Sequence, residues 1–212
     1  MWRTFSVGRA PTTMPTMTEE HGKDGLPIIA FADDGAWERW LEQHHGDTRG
    51  VWLKLAKQAS GIASVTYAEA VRTALCFGWI DGQARSLDDT RYVQRFTPRG
   101  PRSKWSQVNR TRVAELVDTG RMREAGLAAV QQAKDDGRWD RAYPPPSTAT
   151  VPDDLRAALD AVPAAAEAFA SLSGQNRYAV LYRVHEPKRP ETRARRIQQF
   201  VEMLARGETP HP

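Results

Sequence analysis

The chain has 212 residues, enough for one domain of ordinary size or two small ones. Hydrophobic residues make up 40% and charged residues 26%, and 30 Lys and Arg against 26 Asp and Glu leave a formal charge of only +4. That balance describes a globular chain without the strong basic excess of a dedicated nucleic-acid binder, so local clustering of charge matters more than the total. The single Cys allows no internal disulfide, and no apolar run approaches the roughly 20 residues of a membrane span. A cytoplasmic protein is expected on these grounds.

Residues 1–25 show little periodicity and lack the apolar core of a secretory signal. With Met14 and Met17 as alternative starts, they read as a disordered extension. Leu26–Phe31 is a short apolar run, expected as an edge strand because Pro27 cannot donate to a ladder. Asp33 or Asp34 caps a helix to about His45, with Trp37, Trp40 and Leu41 on one face. His44 and His45 are adjacent and diverge on a helix, which makes a shared metal ion a poor fit. Gly50–Lys57 alternates as a half-buried strand, with Val51, Leu53 and Leu55 inward and Trp52, Lys54 and Ala56 outward. The loop to Ser64 lacks the phosphate-loop pattern. Thr66–Glu69 is a capping box that opens a helix to about Cys76, with Ala70, Val71, Ala74 and Leu75 buried and Gly78 as its end. Cys76 reads as buried packing, since no base or cation adjoins it.

Trp79 to about Arg85 and Arg91 to about Phe96 form a hairpin turned by Leu87–Thr90. Thr97–Ser103 is a rigid basic loop. Ser103 is the expected cap of a helix to about Thr119, with Val108, Val113, Leu116 and Val117 inward. A further helix from about Glu124 to Asp135 carries Leu127 and Val130, and Trp139 and Tyr143 follow it. Pro144–Thr150 is the clearest linker. Beyond it, Pro152–Asp160, Pro163–Leu172, Ser173–His185 and Pro190–Arg206 are helical, the last with Ile197, Phe200, Val201 and Leu204 as its inner stripe. The fold class is α+β: a small antiparallel or mixed sheet with packed helices, then a C-terminal helical module. The expected divisions are 1–25 extension, 26–143 α+β domain, 144–150 linker, 151–207 helical module and 208–212 tail.

Three blocks carry a resemblance: Phe77–Gln83, Arg95–Arg99 and Pro101–Ser106. With Gly137–Asp140 and Glu191–Ile197 they resemble the YdeI/OmpD-associated family, also called bacteriocin-protection proteins, over about Ile28 to Gly207. The resemblance implies a bacterial stress role in tolerance of antimicrobial peptides. It supplies no catalytic residue.

The residues themselves point to an anion. Trp79, Asp81, Arg85, Arg95, Arg99, Arg102, Lys104 and Trp105 interleave cations with aromatic rings, and Arg forks suit carboxylate or phosphate while ring faces suit stacking. We therefore expect a non-enzymatic protein that binds an anionic ligand or protein partner through this basic aromatic surface. Two alternatives follow from the same residues. One is nucleic-acid binding, aided by Lys188, Arg189, Arg193, Arg195 and Arg196. The other is an enzyme acting on an anionic small molecule, with Asp81 as general base beside Arg95 or Arg99, although with no second carboxylate or His at defined spacing an ion pair with a nearby Arg is the favoured reading of Asp81. No cofactor or metal motif is present in the sequence, and oligomeric state is open.

Overall fold

The computed structural model describes residues 20–211. Residues 1–19, most of the expected extension, lie outside the described residues. The extension ends earlier than expected, because Glu20–His21 already forms a strand, β1. Pro27–Ala30 is β2, Asp34–His44 α1, Val51–Ala56 β3 and Tyr67–Cys76 α2. Trp79–Ser86 is β4 and Arg91–Pro98 β5. The sheet order is β1-β2-β3-β5-β4. β1 pairs antiparallel with β2, β2 parallel with β3, and β3 antiparallel with β5, so the sheet is mixed. β2 is therefore not an edge strand; β1 covers it, with His21 opposite Pro27. α1 makes the crossover that a parallel pair requires.

The chain divides into two compact units: the described residues to Val71 with Asp81–Pro98, and Arg72–Ile80 with Arg99 onward. The proline run at 144–150 does not mark the division. The reason is visible in the second unit, where Tyr143 pairs with Ser106 and Tyr178 donates its hydroxyl to the Pro144 carbonyl at 3.0 Å. These contacts tie the run to the residues on either side of it.

In the first unit the Asp33 side chain caps α1 by accepting from the Ala36 amide at 2.7 Å. Trp37 is fully buried. Its ring meets Phe31, Trp40 and Phe96 at 5.4, 5.4 and 5.6 Å, and its indole N–H donates to the Ala70 carbonyl at 3.1 Å. The Thr66–Glu69 capping box closes as the sequence predicts, with the Glu69 carboxylate accepting the Thr66 amide at 2.9 Å and the Thr66 hydroxyl at 2.8 Å. β3 departs from its alternating pattern. Trp52, expected outward, is 1% exposed. The cover comes from the N-terminal side: Asp24 accepts the Trp52 indole N–H at 2.9 Å, Leu26 and Ile28 pack beside it, and Arg85 lies 4.4 Å over the ring. The Trp52 bond, helped by the Arg95 charge, holds the Asp24 carboxyl below its ordinary range.

In the second unit, Gln107–Asp118 is α3 and Glu124–Asp135 α4. α3 starts three residues later than Ser103 predicts. Ser106 is its cap, accepting from Asn109 at 3.1 Å, whereas the Ser103 hydroxyl accepts the Gly100 amide at 3.0 Å and closes the preceding loop. Val113 and Leu116 are buried as expected, but Val108, Val117 and Leu127 are exposed. The buried face of α4 runs through Gly126, Val130 and Ala133 instead, because Gly126 lies against the Cys76 carbonyl. Cys76 is buried, and its thiol donates to the Arg72 carbonyl at 3.4 Å.

Asp153–Asp160, Pro163–Ser171, Gly174–His185 and Pro190–Ala205 are α5 to α8. Their core holds Leu155, Leu159, Phe169, Val180, Val184 and the full Ile197–Leu204 stripe. Arg193, one of the basic cluster weighed for nucleic acid, makes a two-point pair with Asp154 at 2.6 and 2.8 Å and donates to the Val184 carbonyl at 2.7 Å. The Arg193 hydrogen bonds and charge depress the Asp154 pKa. A depressed carboxylate contributes stability above its unfolded value of about 4, and that contribution is lost as pH falls through the folded value. Asp154→Asn should therefore lower the melting temperature most near neutral pH. The gap from wild type should close as pH falls below about 4. A gap that stays constant down to about pH 3 would contradict this role for the pair.

Candidate functional site

A cavity of about 330 Å³ opens in the second unit. Its size is at the lower end of small-molecule pockets. Three pieces of chain build it: the loop Pro101–Trp105, the stretch Arg138–Tyr143, and the end of α7 with Lys188. Local bonds hold each piece. Arg138 donates to the carbonyls of Gly100 and Ser103 at 3.2 and 3.0 Å and pairs with Asp136 at 2.7 Å, which fixes the loop. Tyr143 is pinned beside Trp105, donating its amide to the Trp105 carbonyl at 3.0 Å and accepting from Gln107 at 2.9 Å. The His185 ring bonds to the Arg141 carbonyl at 3.1 Å through Nε2, which joins α7 to the middle piece.

The lining is basic and aromatic. Arg102, Lys104, Arg138, Arg141 and Lys188 face Glu186 as the one lining carboxylate. Trp105 is 2% exposed, with the Arg99 guanidinium 3.6 Å over its ring and Trp139 edge-on at 4.9 Å. Tyr143 and Tyr182 meet edge to face at 5.0 Å. The Lys104 ammonium is bound to Glu186, donates to the Tyr182 hydroxyl at 3.1 Å, and stands 5.0 Å over the Tyr182 ring. Arg102 and Lys188 are exposed and stand outside the ion pairs that hold Lys104 and Arg138. Burial works against ionisation of Asp136, but the Arg138 hydrogen bonds and the Arg138 and Lys188 charges keep its pKa low. Such a cleft offers several donors and positive charges to an anion, with ring faces to cover an apolar body.

The sequence-predicted residues separate. Arg102, Lys104 and Trp105 line the cavity, and Arg99 braces Trp105 from behind while donating to the Lys104 carbonyl at 2.9 Å. Trp79 is 1% exposed and belongs to the core. Arg85 lies on Trp52, and Arg95 pairs with Asp24 at 3.3 Å, both in the first unit. Asp81 accepts the Tyr67 phenol at 2.7 Å and does not line the cavity. Its observed partner is thus a phenol, not the Arg expected of it. Arg138, Arg141, Tyr143, Tyr182, His185 and Glu186 escaped sequence reasoning. At the end of α7, Tyr182, His185 and the capping Glu186 have i, i+3, i+4 spacing, distinct from the apolar stripe, and that spacing was the available signal. Among the described residues, no group of three or more His, Cys, Asp or Glu could hold a metal ion. No helix of the described residues is long and apolar enough to cross a membrane.

Comparison with known families divides the chain again. Residues 148–207 match the family described as "Bacteriocin-protection, YdeI or OmpD-Associated". That segment holds α5 to α8 and is what the chain shares with the YdeI/OmpD-associated family. Residues 29–129 match a separate family, a domain of unknown function (DUF8412). The Phe77–Ser106 blocks fall within this second match, so the YdeI/OmpD-associated likeness is narrower than those blocks imply. The cavity draws Tyr182, His185, Glu186 and Lys188 from the first region and Pro101–Trp105 from the second. No curated protein and no solved structure matches the chain.

Proposed function

We propose that the protein is a non-enzymatic binding protein that holds a small, ring-bearing anion in the Trp105–Tyr182 cavity. The observation that carries this reading is the lining itself: five basic side chains, one carboxylate and three aromatic residues around about 330 Å³. The one lining carboxylate is held by Lys104 and Arg196, an arrangement of binding rather than of proton transfer. A role in tolerance of antimicrobial peptides fits the description of the family matched by residues 148–207. A chain of net charge +4 does not attract cationic peptides, so protection would act through the anionic ligand.

The test is a thermal-shift titration at low and high salt with phenyl phosphate, adenosine monophosphate, duplex DNA and a cationic peptide. A small anion should raise the melting temperature by mass action, and Arg102→Glu with Lys188→Glu should abolish the shift. Stabilisation by DNA alone, lost steeply with salt, would replace this reading with nucleic-acid binding.

A further inference from the structure

The cavity contains its own competing anion. Glu186 places one carboxylate oxygen on the Lys104 ammonium and the other 3.3 Å from an Arg196 guanidinium nitrogen. The Glu186 side chain is 26% exposed and that of Lys104 52%, so the carboxylate is partly withdrawn from water while the ammonium stays open to a ligand. Any ligand anion that takes Lys104 must first displace this carboxylate.

We infer that Glu186 makes the pocket selective for a dianionic phosphate over a carboxylate, so that the ligand class is a ring-bearing phosphomonoester. The inference rests on the anion-binding reading above. An incoming carboxylate exchanges like for like at Lys104 and gains little there. A phosphomonoester carries about −1.5 to −2 charges near neutral pH and three acceptor oxygens. It can engage Lys104 together with the exposed Arg102 or Lys188, which a single carboxylate does less well. Displacement is also tolerable for Glu186. Arg196 lies on α8 and donates in addition to the Arg183 carbonyl at 3.0 Å, so it stays in place as a partner for the released carboxylate. No partly buried charge is stranded, and that is the usual large cost of breaking such a pair.

The experiment compares two probes that share one ring, phenyl phosphate and benzoate, by isothermal titration against wild type, Glu186→Gln and Glu186→Ala. Wild type should prefer phenyl phosphate by about tenfold or more. Both variants should bind benzoate several-fold tighter and narrow the preference, because Lys104 is then open to either anion. Equal affinities in wild type overturn the inference. So does an unchanged preference in variants whose far-ultraviolet circular dichroism matches wild type, since Glu186 would then only position Lys104. If neither probe binds wild type or either variant, the anion-binding reading fails and takes the inference with it.

Discussion

Trp37→Ala should lose about 3–5 kcal/mol of stability, the range for truncating a fully buried large aromatic. The ring is 0% exposed and meets Phe31, Trp40 and Phe96, so its removal opens a cavity between α1 and the sheet of the first unit. It also strips the Ala70 carbonyl of its indole donor. Trp37→Phe separates the two effects. It keeps a ring but removes the indole donor, while the Ala70 carbonyl keeps its place in the α2 ladder, and should cost less, about 1 kcal/mol for that bond. Urea unfolding of the three proteins measures both. A Trp37→Ala loss below about 1 kcal/mol would mean that this cluster does not anchor the unit.

Gly126→Val should be comparably damaging in the second unit. A Cβ at position 126 would lie 2.2 Å from the Cys76 carbonyl oxygen and 2.8 Å from its carbon. The obstacle is backbone, so α4 would have to move off the end of α2. We expect a loss of about 3 kcal/mol, the upper end for overpacking, with a smaller loss for Gly126→Ala only if α4 can shift. The Arg123 amide, which donates to the same Cys76 carbonyl at 3.0 Å, should lose hydrogen-exchange protection in the variant. Wild-type protection at Arg123 in Gly126→Val would show that the contact is looser than the geometry states.

Much of the fold was legible because its punctuation is local. Prolines at 163 and 190, the Ser173 cap and Gly207 bracket helices whose bounds the structure reproduces to within a residue or two. The Thr66–Glu69 box and the Asp88-centred turn, where Asp88 accepts from Thr90 and Arg91, were equally local. What failed was set by distant partners. Ser103 and Ser106 are equally good caps in sequence, and the pairing of Ser106 with Tyr143 distinguishes their positions. Trp52 and Arg95 are both claimed by Asp24, a residue read as part of the N-terminal extension. The site divides the same way. Arg102, Lys104 and Trp105 sit together in one basic aromatic loop and were found. Tyr182 and Glu186 reach Lys104 from 78 and 82 residues further along, a separation over which no periodicity speaks.

The measurement that bears most directly on the cavity as a binding site is a crystal structure of the protein with phenyl phosphate. The phosphate should lie within hydrogen-bond reach of Lys104 and of Arg102 or Lys188, with the phenyl ring against Trp105 or Tyr182 and Glu186 turned to Arg196 alone. Phosphate bound elsewhere on the protein, or a cavity left unfilled at a concentration that saturates the protein in solution, would contradict the account.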